Sequence, residues 1–219
     1  SFNESWETEA SIEANPRGAL LVWDRPKPGR QYVLAAAVAR GKQMNPDSTT
    51  ERPKLDYSAA YVLDMAPAHD TGRPVYRTVA AWHGRVDADR FGAILNHIGR
   101  WYNTAWVCPE ANLYGVTTIQ RLLALGYPQV FLKTLFDKPT AFPIGQPPTA
   151  NAMEYGWRTG NNGVPKYVMT SQLNRMMRDG HIDIPDPGFW DEALVFERLP
   201  DGKIEARSGC HDDRIMALA

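Results

Sequence analysis

Cysteine is nearly absent from this 219-residue sequence. Two thiols, Cys108 and Cys210, are too few for a disulfide scaffold, and a reducing compartment is the simpler setting. Long apolar runs are missing as well: nothing approaches the ~18 residues of a membrane span, and nothing resembles a secretory signal. Neither sign of charge is in excess, with 24 Lys and Arg against 25 Asp and Glu. A global polycation is thereby excluded, so any nucleic-acid surface must be a local basic patch. No GxxxxGK[ST] segment occurs, which excludes a phosphate-binding loop of the usual ATPase type. Cys108, Cys210 and His211 invite a zinc reading, but no CxxC and no second His at finger spacing accompany them. Buried reduced thiols are the expectation for both cysteines. Internal repeats and low-complexity tracts are absent too.

What remains is an ordered series of elements. Residues 1–19 open with the polar, irregular SFNESWETEASIEANPRG, read as a linker arm, and the domain proper is expected over residues 20–219. Three strand-like runs follow, QYVLAAAV (31–38), SAAYVLDM (58–65) and VYRTVAAW (75–82), separated by Pro, Gly, Asp and Asn clusters. They predict an antiparallel meander whose first connection is long and polar. Phe91, Ile94, Leu95, Ile98, Trp101 and Tyr102 then recur on one 3.6-residue stripe, which predicts a helix N-capped by Asp87. Strand TAWVCPE, helix VTTIQRLLALG closed by Gly126, and strand QVFLK imply a right-handed parallel crossover. A helix near KYVMTSQLNRMMRDG, a strand HIDIP, a helix from Pro187 to about Phe196, a hairpin turning at Pro200-Asp201-Gly202, and an apolar helix from about His211 complete the chain. A three-strand meander followed by alternating helices and strands is the element order of a ribonuclease-H-like α/β fold: a mixed central sheet flanked by helices.

The acids fall at telling places. Glu110 ends the TAWVCPE strand, and ligand sites in open α/β sheets gather beyond the carboxyl ends of strands. Asp212 and Asp213 open the last helix in GCHDDRIMALA, where one can cap while the other points elsewhere, since adjacent helical residues diverge by about 100°. Carboxylates converging from separate elements suit hard divalent cations, which take oxygen ligands and keep room for phosphate oxygens. A two-ion site of this kind needs one more carboxylate at the tip of the central strand. There the sequence reads YVLAAAVARG, with Ala35, Ala36 and Ala37.

Together, YVLAAAVARG, LDYSAAYVLD, VAAWHG, VCPEANLYG, LGYPQVFLK, EYGWRT and GCHDDRIMALA resemble, in order and spacing, the nuclease domain of the large terminase subunit of tailed bacteriophages. The likeness covers nearly the whole chain from about Leu20. It implies a metal-dependent endonuclease that cuts concatemeric double-stranded DNA, with two Mg²⁺ or Mn²⁺ ions. In that family the first strand typically ends in Asp, then a small apolar pair and Gly; aligned on VARG, that Asp falls at Ala37. Ala37 is read most simply as an inactivating substitution. The resemblance carries Glu110 over as the second acidic ligand and the Asp212–Asp213 pair as the third, with Asp213 favoured as the direct one. His211 is either a phosphate or acid partner or a structural His. The resemblance further implies an ATPase domain of the same subunit, for which residues 1–19 serve as hinge. Its other implied partners are a portal protein and a small terminase subunit, in the cytoplasm of an infected host.

Further candidates are Asp56, which could support the ligands from behind, and Asn112, two residues after Glu110, which could contact phosphate or fix the turn. A basic rim for DNA is sought in Arg40 and Lys42, Arg158 and Lys166, and Arg175 and Arg178, which matter only if they converge beside the acids. Trp101, Trp157 and Trp190 are expected in the core. Two alternatives stay open: a non-catalytic DNA-gripping module, and another ribonuclease-H-like nuclease such as a junction resolvase.

Overall fold

A computed structural model describes residues 18–39, 57–68, 74–134, 153–159, 164–198, 204–207 and 210–219. The first connection with Arg40, Lys42 and Asp56, the hairpin turn at 200–202 and most of the 1–19 arm lie outside the described residues.

The expected meander is present. Strand β2 (Tyr32–Ala37) pairs antiparallel with β3 (Ser58–Ala68), which pairs antiparallel with β4 (Val75–Gly84). Two short strands extend it: β1 (Leu20–Val22), not anticipated, runs antiparallel along β4, and β8 (Ile182–Asp183), within the expected HIDIP strand, runs parallel to it. At the other edge β5 (Trp106–Pro109) lies parallel to β2, in the order β1-β4-β3-β2-β5. The expected parallel step beyond β5 is reduced to a single bridge, Val107 to Val130. The chain then turns into a small antiparallel pair, β6 (Leu132–Thr134) with β7 (Met153–Tyr155). A second pair, β9 (Phe196–Arg198) with β10 (Ile204–Ala206), forms the expected late hairpin.

Strand alternation sends side chains to two helical layers. Leu34, Ala36, Ala60, Val62, Val79 and Trp82 face α1 (Ala88–Trp101) and α2 (Gly115–Ala124), packing with Phe91, Leu95, Ile98 and Leu122. Ala37, Ala59, Tyr61 and Ala81 face the opposite way. They meet α3 (Lys166–Arg178), α4 (Pro187–Leu194) and α5 (Asp213–Leu218) through Leu173, Phe189, Ile215 and Met216. Helix α1 starts as expected: the Asp87 carboxylate accepts the Arg90 amide at 2.9 Å. Gly126 follows α2 with φ +63°, a conformation that favours glycine after a helix end.

Two expectations need correcting. Trp190 is 46% exposed, its indole N–H donating to the carbonyl of buried Ile184, while Trp101 and Trp157 are only half-buried. Cys210 is exposed at the entry to α5, whereas Cys108 is half-buried and its thiol is pushed up to about 12 by burial.

Helices α1 and α2 pack closely at Gly92, where a Cβ would fall 2.7 Å from both the Thr118 carbonyl oxygen and the Arg121 Cβ. Alanine there gains about 1 kcal/mol of helix propensity but overpacks the contact, which typically costs ~1–3 kcal/mol. Backbone oxygen cannot swing aside as a long side chain would, so packing should win. Gly92→Ala is expected to destabilise the domain, and a urea titration showing equal or higher stability would contradict this contact.

Candidate active site

The edge pairing of β2 with β5 places the first acid. Ala36 and Pro109 are paired across the two strands, and the Glu110 amide donates to the Ala36 carbonyl at 2.8 Å. Glu110 therefore leaves the sheet one residue from the tip of β2. Its other flank is held by residue 157: the Ala111 amide donates to the Trp157 carbonyl at 2.7 Å, and the Trp157 indole N–H donates to the Cys108 carbonyl at 3.1 Å.

Asn112 fixes the Glu110 side chain. Its amide nitrogen donates to the Glu110 carboxylate at 3.0 Å and to the Val38 carbonyl at 2.9 Å. Its oxygen accepts the Gly115 amide at 2.7 Å, which caps α2. A side chain at residue 115 has no room, since a Cβ would stand 1.7 Å from the Glu110 carbonyl oxygen. Asn112 thus fixes the turn, one of the two roles read from its spacing, and its side chain also holds the Glu110 carboxylate.

The second group of acids comes from α5, which packs across β2 and β3. Ala37, Glu110, Asp212 and Asp213 all line one cavity of about 320 Å³, together with Lys166, Thr159 and Cys210. Residues far apart in the chain are thereby gathered at the tip of the strand that ends in alanine. Glu205 of β10 lines the same cavity; its hairpin carries no sequence signal that would have pointed to it.

Asp212 stands at the N-cap position of α5, yet makes no capping bond with its side chain. It instead accepts from the Lys166 ammonium at 2.5 Å. Glu192 of α4 takes over the cap, accepting the Arg214 amide at 2.9 Å and the Arg214 guanidinium at 3.1 Å. The same guanidinium faces buried Asp186 at 3.3 Å, and Asp186 also accepts the Tyr61 hydroxyl at 2.5 Å and the Gly188 amide at 2.9 Å. Asp213 is thus flanked by two anchored neighbours, Asp212 on Lys166 and Arg214 on the Asp186–Glu192 pair. No local sequence pattern announces this clamp, because its members come from β3, α4 and α5.

His211 is exposed, with its Nδ1 3.6 Å from the Asp213 carboxylate and its ring edge-on to Tyr57 at 5.2 Å. The basic candidates fare differently. Lys166 belongs to the cavity itself. Arg158 is paired with Glu154, and Arg175 and Arg178 both with Asp179. Helix α3 starts at the cavity with Lys166, so Arg178 sits roughly 18 Å away along its axis at ~1.5 Å per residue.

Carboxylate oxygens dominate this donor set, which suits a hard divalent cation better than a thiolate-seeking one. Among the described residues, however, no group of three His, Cys, Asp or Glu side chains stands close enough to share one ion. Ala37 lines the same cavity but brings no oxygen to it.

The meander, the parallel edge strand and the acid-bearing terminal helix together define a ribonuclease-H-like fold. Among solved structures, the chain is similar to the large terminase nuclease from thermophilic phage G20c, at 22% identity and a TM-score of 0.59, over 93% of this chain and 87% of that one. Structures of that nuclease with bound magnesium and with bound zinc give 21% identity and TM-scores of 0.59 and 0.55, over 93% of this chain and 86% of theirs. No family model and no curated protein matches the sequence. The likeness extends to the fold.

Two outcomes follow from the clamp. Removing Arg214 strands two buried carboxylates, and breaking such a network costs about 3–5 kcal/mol. Arg214→Ala should lose that much in a urea titration, and a loss below 1 kcal/mol would count against the clamp. Its neighbour His83 has its pKa lowered from 6.5 to about 4, first by burial and then by the Arg214 charge. The folded state keeps this imidazole neutral while the unfolded chain takes the proton. Its stabilising contribution is therefore whole above pH 6.5 and is lost as pH falls toward 4. Glu192, raised by burial, opposes part of that slope. His83→Gln should flatten the fall in melting temperature between pH 7 and pH 5.

Proposed function

We propose that this chain is the nuclease domain of a DNA-packaging terminase, a metal-dependent endonuclease whose site is incomplete at Ala37. The observation that carries this reading is the cavity shared by Ala37, Glu110, Asp212 and Asp213. The likeness in fold to the phage nuclease, solved with magnesium in one case, supports the same assignment.

Glu110 and Asp213 would hold Mg²⁺ or Mn²⁺ ions, together with an Asp at position 37. The chemistry that two such ions supply is activation of water and charge neutralisation at a phosphodiester's leaving oxygen. Asn112 holds Glu110 in register, and the Arg214 clamp holds Asp213. Lys166 neutralises Asp212, which leaves Asp213 as the acid of the pair to face the ions. His211, beside Asp213, can orient that carboxylate or donate to a phosphate oxygen. As written, the chain should be nearly inert.

On this reading the substrate is concatemeric double-stranded DNA. The ATPase half of the same subunit would be joined through residues 1–19, and a portal protein and a small terminase subunit would be its partners in the infected host's cytoplasm. No helix among the described residues is long and apolar enough to cross a membrane. The competing reading is a non-catalytic DNA-gripping module, which would need none of the cavity's carboxylates.

Restoring Ala37→Asp should produce Mn²⁺- or Mg²⁺-dependent plasmid cleavage that a further Glu110→Ala abolishes. Asn112→Ala in the restored background should weaken calorimetric Mn²⁺ binding by about 10–100-fold, the usual effect of losing a ligand's supporting partner. Plasmid left intact by the restored protein across metals and salt, with no Mn²⁺ heat, would remove the nuclease assignment.

A further inference from the structure

Residue pairing across the sheet leads from the cavity to a second feature. Ala37 pairs with Ala59, and Ala59 with His83, so one row crosses β2, β3 and β4. At a strand spacing of ~4.8 Å, His83 lies about 10 Å from the tip of β2. Its ring stacks on Tyr57 at 4.5 Å with the two planes 9° apart. The exposed Arg85 guanidinium lies over the same tyrosine, 4.3 Å from the ring centroid. His211 links this group to the acids, edge-on to Tyr57 and 3.6 Å from Asp213. An unbroken path thus runs from Asp213 through His211 and Tyr57 to Arg85.

Arg85 differs in kind from the arginines singled out in the sequence. Arg158, Arg175 and Arg178 spend their donors on carboxylates. Among the described residues Arg85 has no ion-pair partner; an aromatic face holds it. Stacking uses the flat face of a guanidinium and leaves its in-plane N–H edge able to grip two oxygens of a phosphate. The tyrosine also orders the long side chain beforehand, which lowers the entropy lost on binding.

We propose that Arg85, presented on Tyr57, is a backbone-phosphate subsite for the DNA strand that enters the cavity. The subsite rests on the nuclease reading above. Linked to the acids through Tyr57 and His211, it engages a phosphate within a few nucleotides of the bond at the acids. It reads no base; it sets the strand's register over the site.

The chain with Ala37 suits the test, because binding can be followed without cleavage. Fluorescence anisotropy of a labelled 30-base-pair duplex would be measured against salt for the unaltered chain, Arg85→Gln and Arg85→Glu. Arg77→Gln serves as control, since Arg77 lies at the far end of β4 paired with Asp24 and Asp183. Arg85→Gln is expected to weaken binding several-fold and to reduce the slope of log affinity against log salt by about 1. Arg85→Glu should weaken binding further, and Arg77→Gln should leave the slope alone. If the unaltered chain binds with a steep slope that neither Arg85 variant changes, the subsite is wrong while the DNA reading stands. If the unaltered chain shows no salt-dependent binding to duplex, the DNA reading fails and takes the subsite with it. Melting temperatures of the exposed-site variants, expected within a degree or two of the parent, exclude unfolding as the cause.

Discussion

The candidate site depends on one backbone interaction, the parallel pairing of β2 with β5. Through it the Glu110 amide reaches the Ala36 carbonyl, and the acid emerges beside the last residue of β2. Parallel pairing requires the chain to cross the sheet before returning. Helix α1 provides that crossing, carrying the chain from β4 over the sheet to its opposite edge, with its apolar stripe against Leu34, Ala36, Val62 and Val79. The burial that stabilises the sheet is therefore the same burial that delivers Glu110. A slip of one residue between β2 and β5 would turn their side chains to the other face and part Glu110 from Ala37.

The other half of the site is held differently. Helix α5 is six residues long, too short to keep its first turn in place by its own hydrogen bonds. Its apolar residues Ile215, Met216 and Ala217 bury it against β2 and β3, which sets its height on the sheet. Rotation about its axis is set by ions: Asp212 on Lys166 from α3, and Arg214 on Asp186 and Glu192 from α4. Gly188 completes this arrangement, because a Cβ there would lie 2.5 Å from the Arg214 Cζ. Burying such charges contributes little net stability compared with apolar packing, but it specifies one geometry sharply. That is what a carboxylate aimed at a cavity needs.

The sequence made the scaffold legible wherever structure is local. The meander shows in its alternating apolar runs, α1 in its stripe and Asp87, and the position of Glu110 in a strand end before a turn. Asn112 was visible for the same reason, since its spacing from Glu110 is itself the contact. The clamp on Arg214 was not visible, because Tyr61, Asp186, Glu192 and Arg214 meet only in space. The same holds for Asp212, whose place before an apolar helix suggests a cap until Lys166 is found beside it. Basic residues were the weakest signal. A lysine or arginine in a sequence does not reveal its partner, and those singled out within the described residues turned out to be paired with carboxylates. Arg85 went unnoticed, because what distinguishes it is the tyrosine beneath it.

Charge in the cavity bears on which of the two functional readings is the more coherent. Glu110, Glu205, Asp212 and Asp213 oppose one ammonium, Lys166, which leaves three formal negative charges (four minus one) around a space of about 320 Å³. A DNA backbone drawn toward such a cavity would meet repulsion rather than grip. A module built only to hold DNA would be poorly served by carboxylates gathered at its centre. Divalent cations reverse that sign locally and make the same acids attractive to phosphate. An Asp at position 37 would raise the formal charge from three to four, and with it the demand for cations. The methyl group of Ala37 adds no charge to the cavity, while Asn112 on one side and the Arg214 clamp on the other hold Glu110 and the start of α5 in place.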